Sequence, residues 1–525
     1  MARNPRHRHE RAAAVPQRGL AALVVAVLTF ALTACGSSSH TSQPSSQPSR
    51  TSSHTSQPSS HTSQPSSHTS QPSPQPSRTS SQTSQAASRT SPAPSQTSPT
   101  TSDAAAKFRM TTARLTVPPA NRSGPFTTAH RLTLPRGWRA EVWALVDAVR
   151  FETWTPEDDL LASQPGNGTV TLLTPRAGKP AAPPAQRTIL SGLRNPQGLA
   201  FDRIGGHEVL YVAESDQVDR YTWTGAGVDK RTVLIKGLPD TQPAGDDVHS
   251  LKDVVVGSDH TLDVDVGSSS NASPRDSWHG IPRASVLAYH PDGKLERVWA
   301  TGVRNGDGLS LAPDGSLWTA VNERDQISYP FHHAYGGRSD AYNQVVEAYV
   351  NNHPPDEVAR LTPGRDLGWP YCDPDPDVHT GASDTRLRYT NLPFTRDAQT
   401  NPHGTRLNCK PLARLQVGLP AHSAPLGFHF LIGSALPAPW SNGAVVAGHG
   451  SWDRHPPRPP TVYWMPWSRS RLTLGTPRVL VGGFQEPNGS RWGRVADAVP
   501  GPDGALYVSD DQADAIYRVV PTSHH

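Results

Sequence analysis

After residue 106 the apolar positions recur with a period of two rather than the 3.6 of a helix. At 302–325 the run reads G-V-R-N-G-D-G-L-S-L-A-P-D-G-S-L-W-T-A-V-N-E-R-D. Leu309 and Leu311 alternate with small or polar residues, Pro313, Asp314 and Gly315 supply a turn, and Leu317, Trp318, Thr319 and Val321 resume the β-prone pattern. Similar pairs begin at Gly198, at Lys252 and at Asp497, and further strands are predicted at 169–173, 285–289, 443–447 and 461–466. The first three pairs start about fifty-five residues apart, a spacing that suits one four-stranded blade per repeat and therefore a β-propeller. At that period the chain predicts an all-β, six-bladed β-propeller. The stretches 327–356 and 373–405 lack the rhythm, and loops of that length in a compact domain are usually functional covers or disordered.

The first hundred residues obey a different pattern. Arg3, Arg6, Arg8, Arg11 and Arg18 precede an apolar run at 20–32, and Leu32, Thr33 and Ala34 lead to Cys35. This is a secretory signal too short for a comfortable membrane span. Its last four residues resemble a bacterial lipobox, which implies cleavage before Cys35 and lipidation of its sulfur. Residues 36–106 are almost entirely Ser, Thr, Gln, Pro and Ala, with a seven-residue repeat starting at His54, His61 and His68. Such a composition cannot bury enough surface to offset its ordering entropy, so it reads as a disordered spacer. The expected organisation is a signal peptide at 1–35, a linker at 36–106 and one propeller at 107–525.

Subtracting the leader changes the charge. Eight arginines and two acids lie within 1–106, so residues 107–525 carry a formal −2 of the total +4. A near-neutral domain offers no electrostatic case for nucleic acid. Of three cysteines, two remain once Cys35 is assigned to lipid. Outside the cytoplasm Cys372 and Cys409 most simply form one disulfide.

Candidate chemistry gathers where strands begin or end. Arg304 and Asn305 precede one strand of the 308–321 hairpin, and Asn322, Glu323, Arg324 and Asp325 follow the other, so one rim collects cations, amides and carboxylates. Asp246, Asp247 and His249 precede the Lys252 pair in the same way, and a histidine beside carboxylates can serve as a proton acceptor near neutral pH. The loop from His449 to Arg454 and the run Arg491, Trp492, Gly493, Arg494 repeat the arrangement. Together these mouths describe a cationic funnel with a base, suited to an anionic cofactor or substrate.

Several segments then resemble the quinoprotein glucose/sorbosone dehydrogenases, above all the sorbosone-like lipoprotein branch. They are S-Q-P-G-N-G-T-V at 163–170, His249 before its strand, G-V-R-N at 302–305, V-N-E-R-D at 321–325, L-G-W-P-Y-C at 367–372, A-H-S-A-P-L-G at 421–427, H-G-S-W-D-R at 449–454 and the closing run at 493–508. The resemblance spans about 134–520 in order. It implies a six-bladed propeller using pyrroloquinoline quinone (PQQ) with calcium to oxidise a sugar at its anomeric or aldehyde carbon. His249 then matches the general base, and Arg304 the arginine beside the reactive quinone carbonyl. Asn305, Arg494, His449 and Arg454 fall on the cofactor side, and Gln197 on the substrate side. Asn322, Glu323 and Arg324 match the stretch whose carbonyls meet calcium. The chain departs from the pattern at Val248, where glucose enzymes carry an aspartate, at Ala496, where a second carboxylate-binding arginine is expected, and where the His449 loop replaces a lysine.

The expected partners are a sugar substrate, membrane lipid through Cys35, and a membrane electron acceptor at the extracytoplasmic face. The alternatives are a non-catalytic carbohydrate-binding propeller and a metal-dependent lactonase built on Asn322, Glu323 and Asp247. If the lipobox is real, Cys35→Ala abolishes palmitate labelling and releases the protein from membranes. Unchanged labelling contradicts it.

Overall fold

The computed structural model describes residues 108–240, 249–276 and 280–522. The expected signal, Cys35, the 36–106 linker, and Asp246, Asp247 and Val248 lie outside the described residues. Among the described residues no helix is long and apolar enough to cross a membrane.

Six sheets, antiparallel except for one short parallel pairing of 300–301 with 365–366, form the blades of a β-propeller, as the strand periodicity predicts. Their innermost strands are Glu152–Trp154, Leu199–Ile204, Val254–Val256, Gly308–Leu311, Pro425–Phe430 and Val495–Pro500. Each contacts the innermost strand of the next blade, and the last contacts the first, so these strands make a closed ring around the axis. Blade six is completed by an early strand: Trp138–Leu145 pairs antiparallel with Ala515–Pro521. The two ends of the domain are thereby held in one blade.

The core lies between blades. Tyr211 and Val218 of the second blade pack with Val264, Leu287 and Tyr289 of the third. Within the second blade, Phe201 meets Trp223 edge to face at 5.2 Å between centroids. Near the axis the seams are polar instead. Asp253 accepts from the Leu309 backbone N–H of the next blade at 2.9 Å, and Asp497 accepts from that of Glu152 at 2.9 Å. Such buried carboxylates need donors, and the neighbouring strand ends supply them. Close approach sets the sequence here. A Cβ on Gly427 would lie 1.9 Å from the Asp497 carboxylate, so only glycine fits.

The two arrhythmic stretches are both in blade four, between its second and last long strands. The first carries one short helix, Glu347–Val350, and a buried cluster including Tyr329, Val346 and Tyr349. It is an ordered cover with its own small core. The second is stapled by the Cys372–Cys409 disulfide, with the Cα atoms 5.7 Å apart. Closing a loop of 37 residues stabilises the fold by roughly 3–4 kcal/mol in the chain-entropy treatment. Denaturant unfolding with and without a thiol reductant should show a loss of that order, and an unchanged midpoint contradicts it.

Candidate active site

Because the strands of a blade alternate in direction, the entrance of each innermost strand and the exit of the second strand open on the same face. Arg150, His249, Arg304 and Arg494 stand just before four of the six innermost strands, while Asn322 and His449 follow second strands. All six line one cavity of about 650 Å³ on the propeller axis. The sequence-predicted residues His249, Arg304, Asn305, Asn322, His449 and Arg494 are thereby brought together.

His249 is held from beneath. Its Nδ1 lies 3.1 Å from the Ser268 carbonyl oxygen and 2.9 Å from Ser268 Oγ. The Ser268 hydroxyl donates to the Ser270 carbonyl at 2.7 Å, so both Ser268 atoms act as acceptors towards the ring. Nδ1 therefore carries the proton and Nε2 the lone pair, the tautomer a base requires. Burial, followed by the Arg304 charge, pushes the His249 pKa well below its ordinary value. Both effects favour the neutral ring. Gly267 makes this packing possible, since a Cβ there would lie 2.6 Å from that of His249.

Arg304 is 2% exposed and fully engaged. Nη1 donates to the Asn322 and Glu323 carbonyls, both at 2.9 Å, Nε to the Asn271 carbonyl at 3.1 Å, and Nη2 to Asn271 Oδ1 at 3.0 Å with Asp325 at 3.4 Å. A hydrogen-bonded guanidinium in a buried position is a fixed positive charge, available to any negative charge that develops beside it.

A third arginine was not foreseen. Arg150 pairs with Asp511 at 2.6 Å and faces Asp307 at 3.9 Å. Asp511 in turn accepts from His449 Nε2 at 2.8 Å. Burial works against the Asp511 carboxylate, but His449 and Arg150 hold its pKa below the usual range. Burial dominates for His449 and lowers its pKa to about 4 despite Asp511. Arg150 stands two residues ahead of its innermost strand, the position logic that singled out Arg304, and that signal could have found it. Asp325 and His422 also face the cavity, although the sequence reading gave neither a separate role.

Two expected cavity residues, Gln197 and Arg454, lie elsewhere, and the side chains of Glu323 and Arg324 point away from the cavity. Gln197 is fully buried and does not line the cavity; it accepts from Arg150 Nε at 3.2 Å and donates to Asp307 at 3.4 Å. It positions the wall. Arg454 donates to the Asn351 and Pro456 carbonyls, away from the cavity. Arg324 is buried against Asp397 and Gln399. Glu323 keeps its side chain buried outside the cavity lining, and its pKa rises to about 7 chiefly through burial. The carbonyls of Asn322 and Glu323 each accept a hydrogen bond from Arg304, which leaves each one lone pair for another partner.

The quinone fits better. Three arginines surround a cavity of suitable size for an anionic ring system. Beside them, buried Asn305 Oδ1 has no hydrogen-bond partner. Ala496 is fully buried against Phe151 and Leu426, so nothing on its strand replaces the second arginine. Arg150, from the neighbouring blade, supplies the third cation.

A family model described as TrAA12-like matches residues 132–479. Among curated proteins, an uncharacterized protein of Borreliella burgdorferi is 26% identical over 278 residues, which are 52% of this chain and 60% of that protein. The match thus spans less than two thirds of that relative. The holo form of the PQQ domain of pyranose dehydrogenase from Coprinopsis cinerea is 19% identical, with 74% of this chain and 97% of that one covered and a TM-score of 0.60. A calcium structure of the Trichoderma reesei family AA12 carbohydrate-active enzyme is 17% identical, with coverage of 74% and 96% and a TM-score of 0.58. At such identity the likeness establishes the fold and leaves the chemistry to the residues of this chain.

The link between Arg304 and His249 has a measurable consequence. Since the Arg304 charge helps keep the ring deprotonated, Arg304→Gln should raise the His249 pKa, as read by NMR titration of the ring. A His249 titration unmoved by the substitution contradicts the coupling.

Proposed function

The chain belongs to the TrAA12-like family, and on that premise we propose that it is an oxidoreductase that oxidises a sugar at its anomeric or aldehyde carbon with bound PQQ. The observation that carries this reading is a His249 held in one tautomer by Ser268, beside the buried cation Arg304, in a cavity with two further arginines. The fold shared with the PQQ domain of the Coprinopsis cinerea enzyme supports it.

Arg150 and Arg494 would hold the carboxylates of the quinone, and Asn305 would offer its unpartnered Oδ1 to a donor on cofactor or substrate. When bound, the quinone supplies the hydride acceptor. His249 Nε2 takes the proton from the hydroxyl of the reacting carbon, which makes loss of hydride from that carbon favourable. Ser268 holds the ring in place during this step. Arg304 stands where negative charge builds up, and needs no reorientation because its hydrogen bonds are already made. The lactonase alternative loses support, because the Glu323 side chain does not line the cavity.

The rest of the proposal concerns place. Lipidation at Cys35 would tether the domain to the extracytoplasmic face of the membrane, with the 36–106 spacer between, and electrons would pass to a membrane acceptor.

Binding and turnover separate the roles. His249→Gln should leave PQQ affinity within about twofold while turnover falls by about 10²–10⁴. Arg494→Ala should instead weaken PQQ binding by about 10–100-fold, the worth of a charged hydrogen bond. Equal losses of binding in both variants, or turnover that survives in His249→Gln, contradict the assignment.

A further inference from the structure

The loop from His449 to Arg454 leaves one side chain exposed where its neighbours are buried. Trp452 is 70% exposed, between Ser451 at 3% and Asp453 at 8%. Tryptophan is rarely so accessible, and this one stands at the mouth of the cavity.

The loop beneath it is pinned on both sides. Ser451 Oγ accepts from the Arg458 backbone N–H at 2.7 Å, the Ser451 N–H donates to the Arg458 carbonyl at 3.1 Å, and the Ser451 carbonyl accepts from Arg491. On the far side Asp453 accepts from the backbone N–H of Gln326 at 2.8 Å and from its side-chain amide. A loop pinned in this way loses little conformational entropy on meeting a ligand, and the indole itself has only two side-chain torsions to fix. Its neighbours are polar. Because Asp453 is bound to Gln326, Trp452 lies next to the corner formed by Asp325, His422 and Asp453, whose side-chain oxygens and nitrogen lie within 4.8 Å of one another. Asp325 and His422 face the cavity.

A flat apolar face beside carboxylates matches the two surfaces of a pyranose, its C–H face and its hydroxyl rim. We propose that Trp452 and Asp325 form an outer carbohydrate subsite, which takes the ring attached to the one that reacts at His249. The preferred substrate is then a di- or oligosaccharide that enters by its reducing end. This inference rests on the sugar-oxidation reading above for the inner ring, but the subsite itself is a matter of binding. Asp325 supplies hydroxyl acceptors, while the indole stacks on the second ring.

The test is calorimetric titration of the full chain with glucose and with two- and three-ring α-1,4- and β-1,4-linked glucans. In at least one linkage the wild type should bind two rings about tenfold more tightly than one, the worth of a good aromatic contact. Trp452→Ala should abolish that step, Trp452→Phe should keep most of it, and indole fluorescence should change on adding the disaccharide but not glucose. Equal affinity for one ring and two in the wild type overturns the subsite, as does a step that survives in Trp452→Ala or the absence of carbohydrate binding altogether. Titration with PQQ, followed by absorbance, separates the two readings. If PQQ binds but chain length has no effect, the subsite fails and the oxidoreductase stands. If PQQ does not bind while the Trp452-dependent step persists, the subsite stands on a binding protein.

Discussion

The pairing of Trp138–Leu145 with Ala515–Pro521 is the contact on which the site depends. It joins the two ends of the domain in one blade, and so supports the contact by which the last innermost strand meets the first. With it, the strand entrances converge, and residues from distant parts of the chain share one cavity. Arg150 and Asp511, 361 positions apart in the chain, meet at 2.6 Å because the ring is closed. The arginine follows the closing strand from the early end of the domain, and the aspartate precedes its partner from the late end. The cation that stands in for the missing arginine is thus delivered by closure itself.

Within that ring, burial and charge act together on a small set of groups. Desolvation alone would drive His249 towards neutrality, and Arg304 adds to it. Arg304 could not be buried alone. The Asn322, Glu323 and Asn271 carbonyls satisfy its donors, and Asp325 partly balances its charge. The carbonyls that the family resemblance assigned to a metal thus serve a guanidinium. One chain segment, 321–325, ends a strand, neutralises the buried cation and leads into the mouth where Trp452 stands.

Much of this was legible in the sequence, for physical reasons. Period-two alternation and regularly spaced turn residues report a repeated sheet, and a strand entrance that carries Arg or His rather than an apolar residue reports a mouth. That logic singled out His249, Arg304 and Arg494, and all three line the cavity. Side-chain direction was not legible in the same way. Glu323 and Arg324 follow Asn322 in the chain, but successive side chains turn to different surroundings, and theirs are buried away from the axis. Gln197 sits at a strand entrance yet turns under the wall to hold Arg150. Nor could the sequence show that Ser268, nineteen residues from His249, orients the ring; that contact exists only because Gly267 lets two strand ends come together.

The central claim is that this cavity holds an anionic quinone against a histidine base. The most direct measurement is a single turnover followed by absorbance: the full chain is loaded with one equivalent of PQQ without oxygen, and an aldose or disaccharide is added. The account predicts loss of the absorption of the oxidised quinone within the mixing and turnover time of the wild type, and loss slowed by orders of magnitude in His249→Gln with the quinone still bound. A wild-type protein that binds PQQ yet leaves its spectrum unchanged with every sugar tried, or that binds no PQQ, would contradict it.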